Sequence, residues 1–466
     1  MLFPPVPGMT KIEHLVILMM ENRSFDHYLG ALALDSDYPE ATTVEGLKGD
    51  FPTYEDLQSN VVTPYAMDGL YFGYDDLPHG PIPQLANYNK GAMDGFVTSY
   101  QTDLKTNHPD WSDAQLQQAA RVAVGYYTRA TLPVSYSLAD NFTVCDHWFS
   151  SMLSSTWPNR KYLHSGKRDG DPDTHTLPPF PGFETTPFWN VFEDVRDANG
   201  NKYTWKSYFT DLPFLAFWYK FAAFHALHNF TSITNFVNDC REDTLPTVSI
   251  IDPAFSLADD HPTHDVRLGQ KFIGLVVDAL THSESWSKTA LILTYDENGG
   301  LFDHVKPPAA FGNDPTTDTP MGFRVPTIVI SPYSRGGVCK TVFDHTSIMK
   351  SIAVRWGIDF DPGIFGTRFQ AAPEIWSNCF NFKAEPLPLS VYTQRAGTTV
   401  APFQNFTWEE GVHELMKNPI GDLEALMERM FLLPELKTLD ARSSMFDTLN
   451  AMETSVVNLK RMNQNS

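Results

Sequence analysis

Two short stretches of this sequence place carboxylates and a carboxamide directly after an apolar run. Glu21 and Asn22 follow Leu15–Met20, with Arg23, Ser24, Asp26 and His27 close behind. Asp296, Glu297 and Asn298 follow Ala290–Thr294, with Gly299, Gly300, Asp303 and His304 next. Three further runs repeat the pattern. Thr143–Cys145 leads to Asp146, His147, Ser154, Ser155 and Thr156, and Thr247–Ile251 leads to Asp252, Asp259, Asp260 and His261. Pro326–Ile330 leads to Ser331, Arg335, Asp344 and His345. Oxygen-rich sets of this kind suit a hard or borderline divalent cation, and added imidazole tilts the choice towards zinc or manganese. Such a cation lowers the pKa of a hydroxyl and neutralises a phosphoryl oxygen. A Ser or Thr beside it can then serve as nucleophile without a Ser-His-Asp triad. One acid alone in such a place is more often a helix cap or turn residue. Five clusters in phase argue for a metal-centred site.

The apolar runs are the elements that must position these groups. Glu13–Met19, Thr143–Cys145, Thr247–Ile251, Ala290–Thr294 and Pro326–Ile330 are short and rich in Val, Ile or Leu, so they read as buried strands. Helical spacing falls between some of them, over Ser112–Arg129, Asp265–Leu280 and Thr346–Trp356, the last capped by Asp344-His345. The alternation predicts an α/β fold with a mostly parallel sheet and helices on both faces. Ligands in such folds bind beyond the carboxyl ends of the strands, where the five clusters stand. The chain lacks a G-x-S-x-G elbow, a Walker loop and a dinucleotide fingerprint, which weakens lipase, kinase and dehydrogenase readings.

Six motifs in order carry a more specific signal. They are Glu21-Asn22-Arg23-Ser24-Phe25-Asp26-His27; His79 with Lys90-Gly91-Ala92-Met93-Asp94-Gly95-Phe96; Ser155-Thr156-Trp157-Pro158-Asn159-Arg160; Asp259-Asp260-His261-Pro262; Asp296-Glu297-Asn298-Gly299-Gly300 with Asp303-His304; and Arg324-Val325-Pro326 with Asp344-His345. Over residues 10–360 the chain resembles the bacterial phospholipase C and acid phosphatase family of the alkaline phosphatase-like superfamily. The resemblance implies an alkaline phosphatase-like fold and a hydrolase of phosphoric esters. It implies a divalent metal held by Glu21, Asn22, Thr156, Asp296 and Glu297, zinc first, with calcium or manganese as alternatives. Thr156 is the implied nucleophile, with Ser154 and Ser155 as substitutes. His79 and His261 would contact phosphoryl oxygens or protonate the leaving group, and His304 is a further candidate for that layer. His345 is assigned to packing or capping, and His14 and His27 to structure. Trp157 stands where relatives often carry Asp, and Thr263 where many have a second Pro.

A Thr nucleophile resembles the phospholipase C branch, with phosphatidylcholine-like lipids as substrate. An acid phosphatase acting on soluble monoesters is the alternative, and a non-catalytic binding or effector protein on the same fold is a lower one. The aromatic segment Phe214–Phe230 suits a lipid pocket or interface as well as an ordinary buried helix, and Tyr71, Phe72 and Tyr74 could extend the same wall.

Composition sets the bounds. The chain has 466 residues, 34 basic and 56 acidic, for a net charge of −22. That balance disfavours nucleic acid and strongly anionic membranes as partners. No run reaches the length of a transmembrane span, and the N-terminus does not read as a Sec signal peptide. Secretion by another route is the expectation, with a cytoplasmic location as the alternative. Cys145, Cys240, Cys339 and Cys379 lie far apart, form no C-x-x-C pair and read as reduced, buried thiols. Residues 1–385 are expected to form the catalytic domain. Residues 386–466 read as a linker and a helical C-terminal extension, whose stripe of Met445, Leu449, Met452, Val456 and Leu459 packs on the domain or makes a homo-oligomer contact.

Overall fold

An eight-stranded sheet carries the chain's chemistry. The computed structural model describes residues 3–49, 51–67, 75–170, 173, 178, 182–197, 199–226, 228–256, 258–312, 320–334 and 336–387. The strands are β1 (His14–Met20), β2 (Thr143–Cys145), β3 (Trp205–Phe209), β4 (Phe230–Ser232), β5 (Val248–Asp252), β6 (Thr289–Tyr295), β7 (Ile328–Ile330) and β8 (Val338–Cys339). They lie in the order β8-β2-β7-β6-β1-β5-β3-β4. Seven run the same way, and β7 is antiparallel to both its neighbours. This is the α/β, mostly parallel architecture expected of an alkaline phosphatase-like chain.

β1 shows why the sheet is central. After His14 it reads Leu-Val-Ile-Leu-Met-Met, with no polar alternation, and Leu15 to Met20 are at most 1% exposed. A strand buried on both faces needs cover on both. Each such side chain contributes about 1.5–3 kcal/mol by leaving water. Its register with β6 pairs Met20 with Tyr295, so Glu21-Asn22 and Asp296-Glu297 leave the sheet side by side.

Three helices bear on the site: α1 (Thr156–Ser165), α2 (Val266–Thr281) and α3 (Thr346–Trp356). α2 starts one residue later than its apolar spacing suggests, because the Asp265 carboxylate accepts the Arg267 N–H and is the cap. α3 has the expected bounds, and Asp344 Oδ1 accepts the Thr346 N–H at 3.0 Å. The expected helix over Ser112–Arg129 is shorter. Only Asp113–Ala120 is α-helical; a 3₁₀ turn over Arg121–Val124 and a short strand, Gly125–Tyr126, follow.

The fifth strand-end cluster needs correction. Because β7 runs against the others, its carboxyl end points away from the site, and Ser331 bonds the Thr289 carbonyl at the start of β6 (2.9 Å). The residue that the approach to β7 brings to that end is Arg324, four positions before the strand, which pairs with Asp303 and Asp26. Asp344 and His345 come back to that end through β8, which runs parallel to β2. Residues 388–466 lie outside the described residues, with nearly all of the expected C-terminal extension. So do Tyr71, Phe72, Tyr74 and Arg335. Among the described residues no helix is long and apolar enough to cross a membrane.

Candidate active site

The loops after β1 and β6 meet at Asn22. Its backbone turns through φ 58°, a left-handed conformation that Asn tolerates better than most residues. That turn aims the Asn22 N–H at Asp296 Oδ1 (2.9 Å) and presents the carboxamide to α1. Thr156 is the first residue of α1, and its hydroxyl donates to Asn22 Oδ1 at 3.2 Å. A nucleophile there sits at the positive end of a helix dipole, where an anionic phosphoryl group is favoured. Of the two alternative seryl hydroxyls, that of Ser155 donates to Asp173 (2.7 Å).

Glu21, Asp296 and Glu297 are buried around this point. Burial, with Asp296 nearby, pushes the Glu21 carboxyl well above its ordinary range, although Arg160 opposes the shift. Burial pushes Glu297 up to about 8, although His79 opposes it. Glu297 Oε2 accepts from Gln84 (2.9 Å) and from the Gly299 N–H (2.8 Å), while its buried Oε1 has no hydrogen-bond partner. Carboxylates that resist ionising beside an orphaned oxygen are short of positive charge. That is the deficit a divalent cation fills, and an all-oxygen donor set of carboxylates, carboxamide and hydroxyl fits one.

Two histidines complete the cluster. The Leu77 carbonyl accepts from His79 Nδ1 (2.6 Å), which turns Nε2 towards Asn22 Nδ2 (3.3 Å) and Glu297 Oε1 (3.9 Å). Burial lowers the His79 pKa, but Glu297 and Asp76 outweigh it and raise the pKa to about 9. His261 lies 5.8 Å from His79 between ring centres, and burial together with His79 holds its pKa well below the ordinary range. Its loop is pinned by Arg23, which donates to the carbonyls of Asp260 (2.5 Å) and His261 (3.2 Å). Glu21, Asn22, Thr156, Asp296, Glu297, His79 and His261 thus share one place.

His304 stands apart from them. Its Nδ1 lies 2.6 Å from Asp26 Oδ2 and its Nε2 3.8 Å from Glu45, within an ion-pair group completed by Arg324 and Asp303. His345 is fully buried; Nε2 donates to the Asp296 carbonyl (2.7 Å) and Nδ1 accepts from Trp148 (3.4 Å). It packs beneath a site residue. His27 Nδ1 donates to the Gly125 carbonyl and His14 Nδ1 to that of Pro246, both structural contacts.

The profile of the Phosphoesterase family matches residues 12–359. The chain belongs to the Phosphoesterase family. It is 35% identical to phospholipase C B of Mycobacterium tuberculosis, over 82% of this chain and 80% of that one. It is 31% identical to the non-hemolytic phospholipase C of Pseudomonas aeruginosa (84% and 60%) and 30% identical to the non-specific phospholipase C1 of Arabidopsis thaliana (73% and 66%). Among solved structures, a protein in the alkaline phosphatase superfamily from Vibrio parahaemolyticus aligns at 11% identity and a TM-score of 0.34, over 52% of this chain and 64% of that one. This phosphoesterase is a hydrolase of phosphoric esters.

Several residues that shape the site carry no role in the sequence-based expectations. Arg160 lies four residues after Thr156, one turn down α1, and is fully buried. It reaches Glu21 (3.1 Å), Asp252 (3.4 Å) and Asp296 (3.4 Å). The i, i+4 spacing within the third motif was a usable signal. Gln84 and Asp76 had none. Trp157 packs on Phe183 and Phe217, with ring centres 5.6 and 4.9 Å away, so the aromatic segment reaches the neighbour of Thr156. Most of that segment is core: Phe214, Phe217, Trp218, Tyr219 and Phe221 are buried. Trp218, Phe221 and the exposed Phe224 line a cavity of about 990 Å³ that also includes Trp205 and Pro246. Those two residues mark the amino ends of β3 and β5, so the cavity opens at the end of the sheet opposite Thr156.

Proposed function

We propose that this phosphoesterase is a metal-dependent phospholipase C that cleaves the phosphodiester of phosphatidylcholine-like lipids through a phosphothreonine at Thr156. The observation that carries this reading is the Thr156 hydroxyl held on Asn22 amid three buried carboxylates. Glu21, Asn22, Thr156, Asp296 and Glu297 would hold the ion, zinc being the first choice for a site flanked by imidazoles. Once bound, the ion lowers the pKa of the hydroxyl and neutralises a phosphoryl oxygen. Thr156 Oγ then attacks phosphorus, and the bond from phosphorus to the diacylglycerol oxygen breaks. His79 and His261 hold the non-bridging oxygens or give a proton to the leaving alkoxide. Water next cleaves the phosphothreonine, releasing the phosphorylated head group and restoring the hydroxyl. His304, held on Asp26, acts through the Asp26–Arg324 framework and not on substrate. The aromatic contacts of Trp157 support an apolar wall beside the nucleophile, which suits a lipid diester.

The test compares phosphatidylcholine with a soluble phosphomonoester, each with and without chelator. The expected outcome is diacylglycerol release that chelator abolishes, that added divalent ion restores, and that Thr156→Ala loses while keeping its fold. Preference for the monoester would move the assignment to an acid phosphatase. Chelator-insensitive hydrolysis would sink the metal-centred mechanism.

A further inference from the structure

Three of the four cysteines converge, although no local motif joins them. Cys145 ends β2 and Cys339 ends β8, and the two are direct register partners in adjacent parallel strands. Cys379 comes from the segment beyond α3, and its carbonyl accepts from the Thr143 hydroxyl (3.1 Å), which ties that segment to β2. The Sγ atoms of Cys145 and Cys379 are 3.7 Å apart, and all three sulfurs lie within 4.8 Å of one another. All three residues are buried (0%, 6% and 3% exposed), and none is in a disulfide. Cys240 is buried elsewhere, on the helix Ile233–Arg241.

Buried cysteines alone are common and usually inert. Their spacing here is more specific. An ion about 2.3 Å from each sulfur sets the sulfurs roughly 3.8–4.0 Å apart, in tetrahedral or trigonal geometry. One edge is already at 3.7 Å and none exceeds 4.8 Å, so small side-chain rotations close the site. Among the described residues no histidine or carboxylate joins the group. The nearest candidate by sequence, Asp146, is engaged by the Glu45 N–H, His147 and Lys340. Sulfur-only, three-fold ligation selects soft d¹⁰ ions over the hard ions that suit the catalytic oxygens.

We propose that Cys145, Cys339 and Cys379 form a second metal site, separate from the catalytic cluster, that binds one soft thiophilic ion through three thiolates. The ion would clip the edge strand β8 and its neighbour β2 to the segment that leads towards the C-terminal part of the chain. Binding displaces the thiol protons to solvent.

The full-length protein, reduced and stripped of metal, is titrated with Cd²⁺ and, separately, with Cu⁺. A thiolate-to-metal charge-transfer band should rise and saturate at one equivalent per chain. The oxygen-rich catalytic site cannot produce that band, so loading there does not confuse the readout. Alkylation followed by mass spectrometry should show Cys145, Cys339 and Cys379 protected roughly tenfold at a tenfold excess of free ion over Kd, with Cys240 unchanged. Cys339→Ser, at the least buried of the three, should lose most of the band, and Cys240→Ser should keep it. If Cys339→Ser does not fold, the alkylation pattern of the unmodified chain decides the question alone. Equal alkylation of all four thiols with and without metal overturns the proposal. So does a Cys145–Cys379 disulfide in the isolated protein combined with no metal uptake by the reduced chain.

Discussion

At the scale of single residues, the buried arginines decide how the site tolerates its own charge. Arg160 is the counter-ion for Glu21, Asp252 and Asp296, none of which reaches bulk water freely. Removing one partner of a buried ion pair leaves uncompensated charge and costs about 3–5 kcal/mol. Arg160→Leu should therefore lower the unfolding free energy by that order, read from denaturant titration. Because the stranded carboxylates then present a stronger cation site, added Zn²⁺ or Mn²⁺ should recover part of the loss and stabilise the variant more than the parent. Equal stabilisation of both would separate Arg160 from the cation affinity of the carboxylate cluster. His164 makes a different prediction, one turn further along α1. Burial, helped by Arg160, holds its pKa down to about 3, and Nδ1 accepts from Trp189 (3.2 Å), a contact only the neutral ring can make. Unfolded, the same ring titrates near 6.5. Between those values the unfolded chain binds a proton that the folded chain refuses, so stability falls as pH drops below about 6.5, and the loss is complete near 3. His164→Phe should flatten that limb of the stability–pH curve by up to a few kcal/mol. An unchanged slope would assign the acid sensitivity to the carboxylates instead.

At the scale of elements, the site depends on two loops that touch. Gly299 has φ +63°, and a Cβ there would overlap the Asn22 carbonyl. Gly299→Ala combines left-handed strain with a displaced Asn22, so kcat should fall at least about tenfold, while Tm falls by only a few degrees because the sheet is untouched. Full activity in the Gly299→Ala variant would show that the Asn22 turn is not needed in this position. The same elements show what the sequence could and could not reveal. β1, β2, β5 and β6 were legible because their runs are too short for a free-standing helix and mostly rich in Val, Ile or Leu, and carboxylates follow their ends. β3 was not, because Lys206 and Ser207 interrupt it; Lys206 is satisfied by Asp239 (2.6 Å) on a neighbouring helix. β4 is three residues with one hydrophobe. The direction of β7 is a tertiary choice that no local pattern encodes, so Ser331 was placed at the wrong end and Arg324 went unassigned. His304 misled for a related reason: its spacing after Asp296 resembled a site position, while its partner Asp26 was reachable only through the fold. The thiol cluster was invisible because its members lie 194 and 40 positions apart along the chain (339 − 145 and 379 − 339).

At the scale of the whole molecule, the net charge of −22 becomes a statement about membranes. Glu21, Asp296 and Glu297 are three of 56 acids, so a bound ion offsets little of the excess. The remainder repels a negatively charged lipid surface over about a Debye length, roughly 30 Å at 0.01 M salt and 8 Å at 0.15 M. A zwitterionic surface exerts no such force. If the substrate is a phosphatidylcholine-like lipid, hydrolysis on pure phosphatidylcholine vesicles at low salt should exceed that on vesicles diluted with phosphatidylglycerol. The gap should close as salt rises to physiological strength. A short-chain phosphatidylcholine below its micelle concentration serves as the control, because it reaches Thr156 without a surface and its rate should ignore added anionic vesicles. Faster turnover on anionic vesicles at low salt would mean that a local basic face around the site, and not the molecule's overall charge, governs how the enzyme meets its lipid.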